Sequence, residues 1–479
     1  MTRQRYDLVV VGAGSGGYAA ARTARDAGAE VALVDRGPLG GLCILRGCMP
    51  SKAFLASSDA LFDAREARAL GISTDGVAGD LPFIAARKRG LVRSFAEYRV
   101  EGIREFPLYE GVASFLSPTE LLVRAEGSGS ETVLEGTHFI IATGSLCAVP
   151  RVPGLAEAGA LDSDAVLELE RLPKSVVVLG GGYTACELGQ FLSRMGARTT
   201  IVIRKAHLLS HEDADVGMTL MESFIGEGIE VIADAQLLGI ERRVGESVVR
   251  LGPAERAISA ETIFNALGRV PNVADLDLEK ADVAFDPVHG ISVDATMRTS
   301  NPRIFAIGDV TGEFLLVHVA IYQGEVAARN AVRDETERAD YRTMSAHTIF
   351  CDPQIARVGE SEKTLQASNT PYVVGRYAFV EHGKAMCLGK TKGFVKIVAD
   401  REHGEILGAT VVGPQASELI HEMIVAMHYH ATVEEFMRIP HLHPTLAEIW
   451  TYPAEECSIQ LGKKKPGDEQ IELATSLPT

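Results

Sequence analysis

The sequence has no apolar run near the roughly 18–20 residues that a membrane-spanning helix requires. Its opening segment, Met1 to Asp7, leads directly into Leu8–Val11 without the basic start, apolar core and small-residue cleavage site of a secretory signal. Basic stretches are also missing. Lys and Arg number 47 against 64 Asp and Glu, a formal net charge of −17, and no segment forms the basic stripe that nucleic acid or an anionic membrane selects. Cysteine is sparse. The seven residues, Cys43, Cys48, Cys147, Cys186, Cys351, Cys387 and Cys457, are odd in number and thinly spread, which argues against a secreted disulfide framework. No Cys/His set has zinc spacing. The expectation is a cytoplasmic protein with no metal, membrane or nucleic-acid partner.

What is present reads as a large globular enzyme. The 479 residues imply two to four domains, and 46% apolar with 23% charged content suits packed cores. Residues 6–11 are apolar and run into Gly12-Ala13-Gly14-Ser15-Gly16-Gly17. An Ala-rich helical stretch follows to Ala27, Gly28 stops it, and Glu30–Asp35 reads as a second strand. In such a strand–turn–helix unit, Gly12 allows the tight turn, Gly14 admits a pyrophosphate and Gly17 lets helix pack on strand. The helix start then offers free N–H groups to the phosphates, and Asp35 is placed to accept ribose hydroxyls.

The pattern recurs. Ser175–Leu179 precedes Gly180-Gly181-Gly182, a helix runs to about Met195, and Thr199–Ile203 is the next strand. Gly180, Gly182 and Ala185 fill the three motif positions. The fold class expected is therefore α/β, with two Rossmann-like dinucleotide-binding domains, followed by a C-terminal α+β domain. Links at Val149–Gly154 and Arg269–Asn272 divide the chain into 1–152, 153–272, 273–341 and 342–465, with a polar, flexible tail at 466–479.

The most informative segment is Gly40-Gly41-Leu42-Cys43-Ile44-Leu45-Arg46-Gly47-Cys48-Met49-Pro50-Ser51-Lys52. A bond between these cysteines closes too small a loop to gain much as a staple, and strained or exposed disulfides are the labile, catalytic ones. A helix N-terminus and Lys52 would favour a thiolate here. Two buried thiols, or half a metal site, remain open on spacing alone. Near the other end, His443-Pro444-Thr445-Leu446-Ala447-Glu448 offers a base that titrates near neutrality and a carboxylate to fix its tautomer. Cys147 and Cys186 read as small buried residues.

The cysteine segment resembles that of the flavoprotein pyridine nucleotide-disulfide oxidoreductases, which include dihydrolipoamide dehydrogenase, glutathione reductase and mercuric reductase. Their pattern is Gly-Gly-x-Cys-x-x-x-Gly-Cys-x-Pro-Ser/Lys-Lys. Ile141–Ser145, Ala266–Asn272 and Arg303–Asp309 resemble further family segments, so the likeness spans nearly the whole chain. It implies FAD held by Gly12, Gly14, Gly17, Asp35, Arg36, Lys52, Ala113, Thr143, Gly144, Asp309, Leu316 and His318. It implies NAD(P) at Gly180, Gly182, Tyr183, Ala185, Glu187, Arg204, Lys205, Gly268 and Arg269. It also implies a redox disulfide, with Cys48 toward the flavin and Cys43 toward the substrate. Lys52 pairs with Glu187, Tyr183 gates the flavin, and His443 is the acid–base group oriented by Glu448. That dyad comes from the other subunit of a homodimer built through 342–465.

Nicotinamide choice follows from Ile203-Arg204-Lys205. Two cations stand where an NAD site wants a carboxylate, and they suit a 2′-phosphate, so NADPH is expected over NADH. The substrate expected is a small dithiol or disulfide, as in dihydrolipoamide dehydrogenase. A glutathione-reductase-like activity is the alternative, and Glu325 opposes it, standing where that enzyme has a substrate-binding Arg. A flavin NAD(P)H oxidase or transhydrogenase, or a docking subunit of a 2-oxoacid dehydrogenase complex, are alternatives of other classes.

Overall fold

The computed structural model describes residues 2–127, 129–333 and 335–462. The tail expected at 466–479 and the last residues of the 342–465 unit lie outside the described residues.

Strand β1 (Thr2–Val11), helix α1 (Ser15–Asp26) and strand β2 (Val31–Asp35) form the first unit. Leu8, Val9 and Val10 are fully buried, as β-branched and leucine side chains on a two-sided parallel sheet should be. β1 and β2 pair in parallel, Leu8 opposite Val31 and Val11 opposite Val34. A Cβ on Gly17 would stand 1.8 Å from the Gly12 carbonyl oxygen, so only glycine lets α1 lie this close to the turn. β1 starts at Thr2, earlier than its apolar run, because residues 2–6 pair with residues 132–136. The sheet is completed by Leu108–Glu110, Glu131–Ile141, Glu120–Arg124 and Val112–Ser117, and Ile304–Ala306 returns late in the chain to pair with Glu131–Ile141.

The second unit repeats the scheme with a parallel sheet in the order Glu230–Ile232, Arg198–Val202, Ser175–Leu179, Thr262–Asn265, and the helix Tyr183–Met195 packs on it. Arg269–Pro271 pairs with Ser145–Cys147, so the exits of the two units meet. The C-terminal unit is a five-stranded antiparallel sheet, ordered His347–Ile349, Gln354–Gly359, Ile406–Gly413, Phe394–Asp400, Tyr372–Ala378. Among the described residues no helix is long and apolar enough to cross a membrane.

One apolar core runs through all three units. It contains Phe54 and Leu61 of the helix Cys48–Glu66, Leu188 and Phe191 of the second unit, and Ile349 and Phe394 of the C-terminal unit. Phe54 stacks on Phe191 with centroids 4.6 Å apart. Beside this core lies a charge clasp around the buried Arg194. Arg194 donates to Asp59 at 2.7 Å, to Glu227 at 2.8 Å and to Asp352 at 2.8 Å, and its guanidinium lies over the Phe62 ring at 3.9 Å.

Replacing Arg194 by Met would leave three carboxylates facing one another. The expected loss is about 3–5 kcal/mol, seen as a lower urea midpoint at pH 7.5. Burial already lifts the Asp59 carboxyl to about 6. Below that pH Asp59 takes up a proton, so the R194M deficit should shrink at pH 5. A deficit unchanged between the two pH values would show that charge is not its cause.

Candidate active site

Cys43 lies on helix α2 (Gly41–Arg46), and Cys48 is the first residue of helix α3 (Cys48–Glu66). Gly47 alone joins them. A Cβ on it would meet the Leu42 carbonyl oxygen at 3.0 Å and the Cys43 Cα at 3.2 Å, so the turn that brings the sulfurs together has no room for a side chain. Both cysteines are half-buried free thiols. They share a proton: a hydrogen bond from Cys43 is the largest influence lowering Cys48, to about 7, with Lys52 adding to it and burial opposing. The same hydrogen bond pushes the Cys43 thiol well up. The N-terminal end of α3 adds its own preference for charge at Cys48. The pair therefore holds one negative charge, on Cys48, and one proton, on Cys43.

Lys52 stands one turn further along α3. Its Nζ donates to Glu187 Oε2 at 2.8 Å and lies 4.4 Å from the centre of the Phe350 ring. Glu187 belongs to the helix Tyr183–Met195 and is 5% exposed, and its other oxygen accepts the backbone N–H of Phe350 at 2.9 Å. A charged carboxylate at this depth requires such partners. Phe350 carries no motif, and the sequence offers no signal for its contact with Glu187.

The sulfurs open into a cavity of ≈ 330 Å³. Of the residues expected to hold FAD, Gly12, Gly14, Gly17, Asp35, Arg36, Lys52, Ala113, Thr143, Gly144 and Asp309 line it. Leu316 and His318 do not. Leu315, Val317 and Ala320 face the cavity instead, and the exposed His318 ring is bonded through Nε2 to the Met344 carbonyl at 3.0 Å. The start of the helix at Val317 sets this phase, which a segment likeness does not register. Asp35 accepts the N–H groups of Ala13 and Gly37, each at 2.7 Å, so the turn itself orients the carboxylate. Asp309 accepts the Ser145 hydroxyl at 2.6 Å, and Ser145 in turn accepts Nε of Arg269 at 2.8 Å. Ser145 thus links the Asp309 segment to the second unit, a role its motif position did not reveal. A glycine turn at an open helix start, a fixed carboxylate beside it and a lysine next to the sulfurs fit a flavin dinucleotide.

Tyr183, Glu187 and Arg269 of the second unit also line this cavity. Gly180, Gly182 and Gly268 lie at turns outside its walls, and Arg204 and Lys205 are exposed just beyond the strand Arg198–Val202. Ala185 is fully buried, where it serves the packing of helix on strand. Cys186 is buried as expected. Cys147 is only half-buried, and Arg269 Nη1 reaches its sulfur at 3.4 Å.

The His–Glu pair forms but stands apart. His443 Nδ1 is 2.9 Å from Glu448 Oε2, and the His443 side chain is 80% exposed. Neither residue lines the cavity of its own chain. His441 turns inward to Glu422 at 2.7 Å.

Comparison with known proteins agrees with this geometry. Residues 6–324 match the pyridine nucleotide-disulphide oxidoreductase family, and residues 345–454 match the dimerisation domain of the same family. The dihydrolipoyl dehydrogenase of Chlamydia pneumoniae is 36% identical over 452 residues, covering 93% of this chain and 96% of the relative. That of Geobacillus stearothermophilus is 34% identical over 455 residues, covering 94% and 95%. In fold, the chain is similar to the HOCl-induced flavoprotein disulfide reductase RclA from Escherichia coli, with a TM-score of 0.83, 23% identity and coverage of 94% and 99%.

With both thiols reduced, thiolate absorbance near 240 nm should rise by one equivalent per chain with a midpoint near pH 7. Cys48→Ser should abolish the step. Cys43→Ser should move it upward, since the hydrogen bond from Cys43 does most of the lowering. A step that survives in C48S would place the charge on the wrong sulfur.

Proposed function

The chain belongs to the pyridine nucleotide-disulphide oxidoreductase family, and from that premise we propose a dihydrolipoamide-dehydrogenase-like enzyme working between a nicotinamide, FAD, the Cys43–Cys48 pair and a small dithiol or disulfide. The observation that carries this reading is the placement of both sulfurs, Lys52 and Glu187 in one cavity with the glycine turn, Asp35 and Asp309. When bound, FAD supplies the two-electron link between nicotinamide and sulfur.

The residues of the chain have separable tasks in this reading. Gly12, Gly14 and Gly17 take the pyrophosphate, Asp35 the adenosine ribose and Asp309 the ribityl chain. Lys52 and Glu187 hold the ring edge beside Cys48. In the direction of disulfide reduction, Cys43 must lose its proton before it attacks, because in the reduced pair the proton is on that sulfur. The partner subunit's His443 takes it. The Cys43 thiolate then displaces one substrate sulfur, which leaves as a thiol with the proton returned from that imidazole. Cys48 attacks the mixed disulfide, closes the Cys43–Cys48 bond and releases the second sulfur as a thiolate, which takes its proton from solvent. Oxidation of a dithiol runs these steps in reverse. A homodimer formed through the C-terminal unit supplies the imidazole that a single chain does not bring to its own sulfurs.

For the nicotinamide we infer NADPH over NADH, with Arg204 and Lys205 taking the 2′-phosphate. The buried Ile203 ends the strand region, and both cations stand exposed where a ribose-binding carboxylate would otherwise sit.

Steady-state assays with NADPH and NADH against lipoamide and glutathione disulfide test both parts. Lipoamide-type substrates should turn over at least about tenfold better than glutathione disulfide. The double change Arg204→Ala, Lys205→Ala should lower kcat/KM for NADPH about 10–100-fold, the worth of a charge-assisted contact, and leave NADH within about twofold. Equal losses for both nucleotides would remove the phosphate assignment.

A further inference from the structure

His382 lies between the short 3₁₀ turn Phe379–Glu381 and the helix Gly383–Leu388. Its side chain is 1% exposed, and neither ring nitrogen has a hydrogen-bond partner. Such a group inside a protein calls for an explanation. The Phe379 ring stands edge-on to it at 6.5 Å and the Tyr452 ring at 6.4 Å, while Tyr377 stacks on Tyr452 at 4.0 Å. The polar atom its ring faces belongs to the acid–base pair: Nε2 is 3.5 Å from Glu448 Oε1. Glu448 thus stands between two imidazoles. Oε2 meets Nδ1 of the exposed His443, and Oε1 meets Nε2 of the buried His382.

We propose that His382 is a positioning residue of the acid–base pair, donating its Nε2–H to Glu448 Oε1 so that Oε2 stays on Nδ1 of His443. The contact at 3.5 Å is long for a hydrogen bond. Contacts of this kind in acid–base sites shorten when the substrate complex forms. The stacked tyrosines and Phe379 hold the imidazole in one orientation, and that orientation passes to the carboxylate. The titratable groups acting on the ring are Glu448 and His443, with Tyr452 edge-on. Burial keeps His382 below the usual histidine range, Glu448 opposes this, and His443 reinforces it. The buried imidazole is therefore neutral at pH 7. It donates a hydrogen bond without taking the proton that Glu448 attracts, and that proton is left to His443, which faces outward.

The inference rests on the reading of His443 and Glu448 as the acid–base pair, and the test separates the two. His382→Phe removes the donor and keeps an aromatic ring, while His382→Gln keeps a donor. The FAD-loaded dimer is mixed with NADPH alone, and separately, once reduced, with lipoamide. H382F should slow the lipoamide step about tenfold, leave reduction by NADPH within about twofold, and raise the pH midpoint of the lipoamide step, because a carboxylate stripped of one donor holds the His443 proton more tightly. H382Q should restore rate and midpoint. Unchanged rate and midpoint in H382F would overturn the inference. Equal slowing of both steps in both variants would assign His382 to packing alone. His443→Gln is the control: if the lipoamide step survives it, the acid–base reading itself fails. Should H382F not fold, ¹⁵N-histidine spectra of the unaltered dimer decide. The expected His382 signal is a neutral Nε2–H imidazole whose shift moves as His443 titrates. An Nδ1–H tautomer, or no response to that titration, would overturn the proposal.

Discussion

A carboxylate as buried as Glu187 needs partners to replace the water it has lost, and Lys52 at 2.8 Å is the cation beside it. The constraint reaches across the molecule. Lys52 is on α3, whose first residue is Cys48, Glu187 is on the helix of the second nucleotide unit, and the other Glu187 oxygen takes the Phe350 amide of the C-terminal unit. One ion pair thus sets where the sulfurs stand relative to both nucleotide sites. It also bears on their charge. When both cysteines are reduced, Lys52 adds to the lowering of Cys48 that the hydrogen bond from Cys43 begins, and Glu187 works against the thiolate that Lys52 favours. Once the sulfurs are bonded to each other, Lys52 answers to Glu187 alone. The ion pair is the fixed part of the site and the thiolate is the part that comes and goes.

Around this pair the three units are tied together by further contacts. The core shared by the three units and the Arg194 clasp both cross the same boundaries that the Lys52–Glu187 contact crosses. Apolar burial supplies most of the adhesion, since it is roughly proportional to area. The buried charges add direction, because each has few positions in which its partners are satisfied. The distance between sulfur and nicotinamide site is therefore a property of the whole molecule and not of a local loop.

The parts of the site that could be read from the sequence are those whose geometry is local. The turn from Gly12 to Gly17, the acid at Asp35 and the Cys43–Cys48 segment each act within a few residues or one βαβ unit, and their residue types follow from space and φ. The unread parts depend on partners far along the chain. Ser145 gains its role only when Asp309 and Arg269 arrive beside it, 164 and 124 residues away. Leu316 and His318 lie outside the cavity lining while Leu315, Val317 and Ala320 face it, because the helix that starts at Val317 fixes which side chains turn inward. His382 sits in the run Val380-Glu381-His382-Gly383, which matches no chemical pattern. Its burial is the work of Phe379 and of Tyr452, seventy positions on.

The two halves of the proposed chemistry obey opposite solvent rules, and this bears on why they occupy different units. A thiolate next to a dinucleotide gains from a confined, partly dry cavity, where Lys52 and the helix end act at short range with little screening. A proton-transfer imidazole must meet substrate and give its proton up, so it needs an open face, and His443 has one while its orienting carboxylate is 14% exposed. Placing both in one continuous unit would either flood the sulfurs or bury the imidazole. Carrying the imidazole on a separate domain, with its own rigid support behind Glu448, allows each to be prepared in its own environment and joined only on assembly. In the proposed dimer the contact between two copies of the chain brings the imidazole to the sulfurs, and the finished site belongs to neither copy alone.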